Sequence, residues 1–152
     1  MLKITIDQMY DYLSDLFESV AWSDSTLTEI GNSLIAQIAF ECRPETVRRA
    51  KENQTYDSRR VIEAMLNALV TLVSCHDVAH RLNFAPVLPH IETFDCGAAE
   101  QLLTALACTG DLQYEALIGQ TAGRFPALLA DEYLTELRKY AAYRQSHAAD
   151  PQ

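Results

Sequence analysis

Apolar side chains recur at every third or fourth position through most of this chain, a spacing that lines one side of an α-helix and that a strand, with its period of two, cannot use. Between residues 6 and 20 they fall at Ile6, Met9, Tyr10, Leu13, Leu16, Phe17 and Val20. After the turn-like Ala21-Trp22-Ser23-Asp24 the period resumes at Leu27, Ile30, Leu34, Ile35 and Ile38. A later run from Val61 to Val73 becomes apolar nearly all round, which predicts the central helix of the fold. Leu2, Ile4 and Ile6 do alternate, but three positions do not outweigh a helix that begins among them, so residues 1 to 4 read as extended or frayed. The pattern predicts an all-α protein with no sheet of three or more strands.

Punctuation divides the pattern into elements. Thr5 or Asp7 is expected to cap the first helix and Asp24 or Ser25 the second, which ends before Pro44. Pro44 suits the first position of a short third helix, where its missing N–H is no loss. Pro86 and Pro89 break up residues 75 to 95 into what should be two short helical turns. Asp95 is placed to cap a helix carrying Leu102, Leu103 and Leu106, and Gly110 stands where a left-handed terminating residue belongs. Thr109-Gly110-Asp111 is so short a connection that the helices on either side should be antiparallel neighbours. The next helix, with Tyr114, Leu117 and Ile118, should stop near Arg124-Phe125. Pro126 should then open a long final helix with Leu128, Leu129, Tyr133, Leu134, Leu137 and Tyr140 inward. These elements make one helical domain over residues 1–145, with a polar tail at 146–152. The runs Met65-Leu66-Asn67-Ala68-Leu69 and Leu102-Leu103-Thr104-Ala105-Leu106 lie 37 positions apart, each ahead of a turn holding an Asp, Asp77 or Asp111. Stacked antiparallel helix pairs of the HEAT type have such a period, and an irregular helical bundle is the alternative.

Composition excludes several classes. A chain of 152 residues with 49% apolar residues can bury a full core without disulfides or metal, which rules out intrinsic disorder and a disulfide scaffold. The longest apolar stretch, Ala64 to Cys75, is interrupted by Asn67, Thr71 and Ser74 and falls short of a bilayer span. Met1-Leu2-Lys3 followed by acids lacks the layout of a signal peptide, and Cys42, Cys75, Cys96 and Cys108 form no CxxC pair. Both points lead to the expectation of free thiols in a cytoplasmic protein.

The net charge of -9 is unevenly spread. Residues 1 to 42 hold seven acids and one base, residues 43 to 60 six bases and three acids, and the remainder eleven acids and five bases. On a helical wheel Asp7, Asp11, Asp15 and Glu18 cluster opposite the apolar stripe of the first helix. Such a ribbon serves either as a solvated face or as a docking strip for a basic partner. Tyr12 and Trp22 are candidate aromatic anchors, Trp22 with a core role as the alternative, and Asp131, Glu132 and Glu136 on the last helix offer a second acidic surface. The overall acidity argues against direct binding of nucleic acid or an anionic membrane.

A single constellation invites a catalytic reading. Cys75-His76-Asp77 with His80 places two imidazoles at i and i+4, with His90 and Glu92 nearby, a spacing able to hold zinc or iron. A metal-dependent phosphohydrolase with a His-Asp doublet also needs an upstream His, and no His precedes His76. The expectation is that these residues are structural and that the chain carries no metal, no cofactor and no enzymatic activity. The alternative is a metal-dependent hydrolase using His76, Asp77 and His80.

Residues Ala105-Leu106-Ala107-Cys108-Thr109-Gly110-Asp111-Leu112-Gln113-Tyr114, followed by the long closing helix, carry a family likeness. From Val61 to Tyr140 the chain resembles the helical, HEAT-like immunity proteins that bacteria encode beside polymorphic and contact-dependent growth inhibition toxins. In that family Gly reverses the chain, Asp caps the second helix and Tyr packs between helices, and no catalytic residue is involved. The resemblance implies a cytoplasmic protein that binds one cognate toxin domain and occludes its active site or substrate entry. Many such toxins are nucleases with basic surfaces, which an acidic inhibitor can meet. A HEAT-like adaptor or regulatory subunit is the alternative function.

Overall fold

The computed structural model describes residues 6–19, 21–44 and 58–148, and these are helical with short connections. The helices are α1 (Ile6–Ser19), α2 (Asp24–Glu41), α3 (Ser58–Cys75), α4 (Cys96–Cys108), α5 (Glu115–Gly123) and α6 (Ala130–Ala148). Among the described residues there is no strand, as the uniform helical period requires. Pro44 is helical, and the rest of the short helix expected there lies outside the described residues, as do the expected frayed start and the end of the polar tail.

Contacts between element ends fix the directions. His76, just past α3, meets the Phe17 carbonyl near the end of α1. Arg59 at the start of α3 pairs with Asp95 at the start of α4. Arg144 near the end of α6 reaches the carbonyls of Cys108 and Thr109 at the end of α4. Hence α1, α3, α4 and α6 run the same way and pack side by side in that order. The connecting elements run the opposite way in a second layer: α2, the crossover from 76 to 95, and α5. Asn32 of α2 accepts from the Asn83 N–H at 2.8 Å, and Arg124 beyond α5 donates to the carbonyls of Ile91 and Glu92. Each of α1, α3 and α4 is therefore followed in sequence by a returning element of the second layer.

The repeated five-residue runs occupy the two central helices. Met65, Leu66, Ala68 and Leu69 of α3 and Leu102, Leu103, Ala105 and Leu106 of α4 are fully buried, whereas Asn67 is exposed and Thr104 half-buried. The crossover is irregular because of its prolines, with 3-10 turns at Ala79–Arg81 and Leu88–Thr93, matching the two short turns expected. It is nevertheless part of the core, with Val78, Leu82, Phe84, Val87 and Ile91 buried. Gly31 makes this close approach possible, since a Cβ there would lie 2.6 Å from a methyl of Leu82.

Five expectations are corrected. The cap of α2 is Ser23, whose hydroxyl accepts from the Thr26 N–H at 3.1 Å; Asp24 and Ser25 already belong to the first turn. The final helix starts at Ala130, because Pro126 instead forms a turn in which the Leu128 N–H donates to the Phe125 carbonyl. Leu129, expected inward, is exposed in this connection, while Leu128 is buried. Met9 is also exposed: α1 meets α3 through Tyr10, Leu13, Ser14 and Phe17, and Met9 lies about 80° around the wheel from Phe17. Burial of Phe17 alone contributes roughly 2 to 3 kcal/mol. Ser14 is tolerated on that face because its hydroxyl donates to the Tyr10 carbonyl. At its far end α6 runs through Ala148, past Gln145.

Candidate functional site

The outer side of α1 carries Asp11, Asp15 and Glu18, all exposed, with Tyr12 beside them at 65% exposure. Asp7 belongs to the same helix, and its side chain lies outside the described residues. The carboxylates point outward because the opposite side of α1 is committed to α3. Trp22 is half-buried: its indole N–H donates to the Leu16 carbonyl at 3.1 Å, and its ring meets Phe17 edge-on at 6.3 Å. It pins the α1–α2 corner, and only part of its surface is open to a partner.

Asp131, Glu132 and Glu136 are exposed on α6, with Glu136 held by Lys139 at 3.1 Å. Because α1 and α6 form opposite edges of the first layer, the two acidic surfaces expected from the sequence do not merge into one patch.

The Cys75-His76-Asp77-His80 segment turns the corner out of α3, and its side chains diverge. The His76 Nε2 lies 2.8 Å from the Phe17 carbonyl, tying α3 to α1. Asp77 faces the other way and accepts from Arg144 at 2.7 Å, with the His80 Nδ1 3.8 Å away on the same oxygen. Burial, then the nearby Arg144 guanidinium, holds the His80 imidazole below its ordinary titration range, and the Asp77 carboxylate opposes this only in part. Cys75 is exposed, whereas burial pushes the Cys42 thiol up to about 11 and raises that of Cys108 as well. Buried, protonated thiols of this kind are poor nucleophiles at neutral pH. Among the described residues, no group of three or more His, Cys, Asp or Glu side chains is placed to hold a metal ion.

The organising residue of this corner is Arg144, which the sequence pattern does not single out. Its guanidinium donates to the Thr109 and Cys108 carbonyls and to Asp77, each at 2.7 Å. It thereby satisfies carbonyls at the end of α4 and neutralises the negative end of that helix, while joining α6 to the corner after α3. Asp77 and Arg144 stand 67 positions apart, so no local signal could have paired them. In the TGD hairpin beside it, Asp111 caps the 3-10 turn Leu112–Tyr114 and not α5 itself, whose cap position, Tyr114, makes no side-chain hydrogen bond to the helix. Gly110 is left-handed, with φ of 66°, Asp111 accepts from the Gln113 N–H, and Tyr114 packs edge-on against Phe84 at 6.5 Å.

Compared with protein-family models, curated proteins and solved structures, the chain matches none. Among the described residues, no helix is long and apolar enough to cross a membrane.

Proposed function

We propose that this protein acts by binding another protein, as an immunity protein that occupies a cognate toxin domain with a basic surface, such as a nuclease, and blocks its active site or substrate entry. The observation that carries this reading is the outer side of α1, where exposed Asp11, Asp15 and Glu18 flank an exposed Tyr12. Carboxylates on such a face steer a basic partner and reject acidic ones, while an aromatic ring supplies contact area at small entropic cost. Asp7 extends the ribbon in sequence, and Trp22 offers the open part of its ring at the adjoining corner. Asp131, Glu132 and Glu136 form the second candidate surface. The α4–α5 hairpin supports the reading as scaffold, and it supplies no chemistry.

The test is a charge reversal, Asp11→Lys with Asp15→Lys, against the product of a toxin gene adjacent in the genome. Association should slow by about tenfold or more at low salt and lose most of its salt dependence, with helical content unchanged. Wild-type association and full protection of cells by the double variant would reject α1 as the docking strip. The absence of any adjacent toxin gene would favour an adaptor.

A further inference from the structure

α1 turns two different sectors to solvent, and the acidic one is only part of its free side. Met9 is 58% exposed and Tyr12 65%, and Leu16 is half-buried but, unlike Tyr10 and Leu13, does not pack against the described core. The three stand at i, i+3 and i+7, which lines them up along two turns of the helix. This stripe lies between Leu13, at the rim of the contact with α3, and the carboxylates, with Tyr12 about 60° round the wheel from Asp15. A helix at the end of a stack ordinarily shows solvent a polar side, since nothing follows to cover it. α1 stands at such an end, covered extensively by α3 alone among the described elements, and yet a methionine, a tyrosine and part of a leucine remain open.

Charge decides what can cover this stripe. Asp11, Asp15 and Glu18 form no ion pair among the described residues, and α1 has no basic residue of its own. A second copy laid stripe to stripe would bring two carboxylate ribbons together with nothing on α1 to neutralise them, and an anionic membrane meets the same repulsion. A partner that is apolar along one line and basic along the flank beside it meets neither penalty. An α-helix has that form when its apolar residues recur at i, i+3 and i+7, and a seam of this spacing accepts another of the same spacing. Lys and Arg suit the flank, because their aliphatic stems extend the apolar contact before the charge reaches a carboxylate.

We infer that Met9, Tyr12 and Leu16 seat an amphipathic, basic helix of the partner protein, its apolar seam on the stripe and its Lys or Arg flank over Asp11, Asp15 and Glu18. Tyr12 stands at the border of the two sectors, where its ring packs on the seam and its hydroxyl can accept from a basic side chain. The inference rests on the reading of α1 as the docking helix and adds the kind of element that docks. Charge alone would take any basic surface, whereas the stripe takes a helix.

The probe is a leucine–lysine peptide with leucine at every third or fourth position, titrated into the isotope-labelled full chain and followed by amide shifts and circular dichroism. The peptide should turn helical on binding, with shifts gathered on Met9–Ser19. A peptide of the same two residues in strict alternation, whose leucines line up on a strand and not on a helix, should bind about tenfold more weakly. Met9→Gln with Tyr12→Gln, both at exposed positions, should weaken the helical peptide about tenfold at low and high salt alike, with the helical content of the protein unchanged. Asp11→Asn with Asp15→Asn should weaken it at low salt only. Equal affinity for the two peptides, shifts centred away from α1, no shifts, or unaltered affinity in the Met9/Tyr12 variant would each overturn the proposal. A wild-type dimer in sedimentation that the Met9/Tyr12 variant abolishes would assign the stripe to a second copy and overturn it too. No toxin is used in these measurements, so their failure is distinguishable from failure of α1 as the toxin's docking strip, which is read from toxin association alone.

Discussion

The corners that follow α3 and α4 start from nearly the same helix and end differently. Both helices bury a matching five-residue run, and both are followed by an Asp-bearing turn and a 3-10 turn, at Ala79–Arg81 and Leu112–Tyr114. After α4 the chain reverses at once through left-handed Gly110 and re-enters a helix at Glu115. After α3 there is no such glycine; Cys75-His76-Asp77 leads into a crossover kept irregular by Pro86 and Pro89. Helix interiors thus set what is buried, and the residues just past the helix set what comes next. Arg144 then couples the two corners, since one guanidinium serves the carbonyls of one and the carboxylate of the other.

Breaking the glycine corner should have the largest effect. A Cβ at Gly110 would stand 2.7 Å from backbone atoms of Tyr140 and Ala141, which cannot swing away, and the backbone is left-handed as well. Gly110→Ala should cost about 3 kcal/mol or more and separate α6 from the hairpin, seen as a large fall in denaturation midpoint. Gly31→Ala sharpens the point. Its Cβ would meet only the end of the Leu82 side chain, and the gain in helix propensity offsets part of the crowding, so the net change should stay within about 1 kcal/mol.

Arg144→Met tests the coupling. Removing three hydrogen bonds should cost about 2 to 3 kcal/mol and speed hydrogen exchange at the end of α4. Asp77→Asn, by contrast, should cost about 0.5 to 1 kcal/mol, because the carboxylate is half-exposed and an amide oxygen can still accept. Equal losses in the two variants would mean that the ion pair, and not the capping of α4, is the stabilising part.

The smallest effect concerns His80, which faces Asp77 of its own corner, Arg144 of α6, the neighbouring Arg81 and Asp24 of α2. Its folded pKa lies below the unfolded value of about 6.5, so the folded state binds fewer protons between the two. Stability is therefore full above about pH 6.5 and declines as pH falls through the folded pKa. His80→Gln should flatten that decline in melts taken between pH 5 and 7.5, and an identical slope in both proteins would show that another group is responsible.

Much of the fold is legible along the chain because helical periodicity, caps and breakers are local. The Asp95 cap and the Gly110 reversal stand where residue chemistry put them, with Asp95 accepting from the Ala98 N–H at 2.9 Å. The α2 cap shows the limit of such signals. Ser23, Asp24 and Ser25 are all good caps, and only the backbone at Ser23, with ψ near 149°, separates the one outside the helix from the two within it. The candidate surfaces divide in the same way. The ribbon on α1 follows from spacing within a single helix, whereas the Arg144 corner joins residues 67 positions apart and has no sequence signature.

The sequence by itself determined the all-helical class, the reversal at Gly110 and the segregation of charge on α1, because each depends on residues within a few positions of one another. Tertiary structure alone decided that α1, α3, α4 and α6 run parallel, that the two acidic surfaces stand at opposite edges, and that Arg144 closes both corners. Those outcomes depend on which faces remain to be buried and which carbonyls remain unpaired once the helices have formed, quantities defined only when distant segments meet.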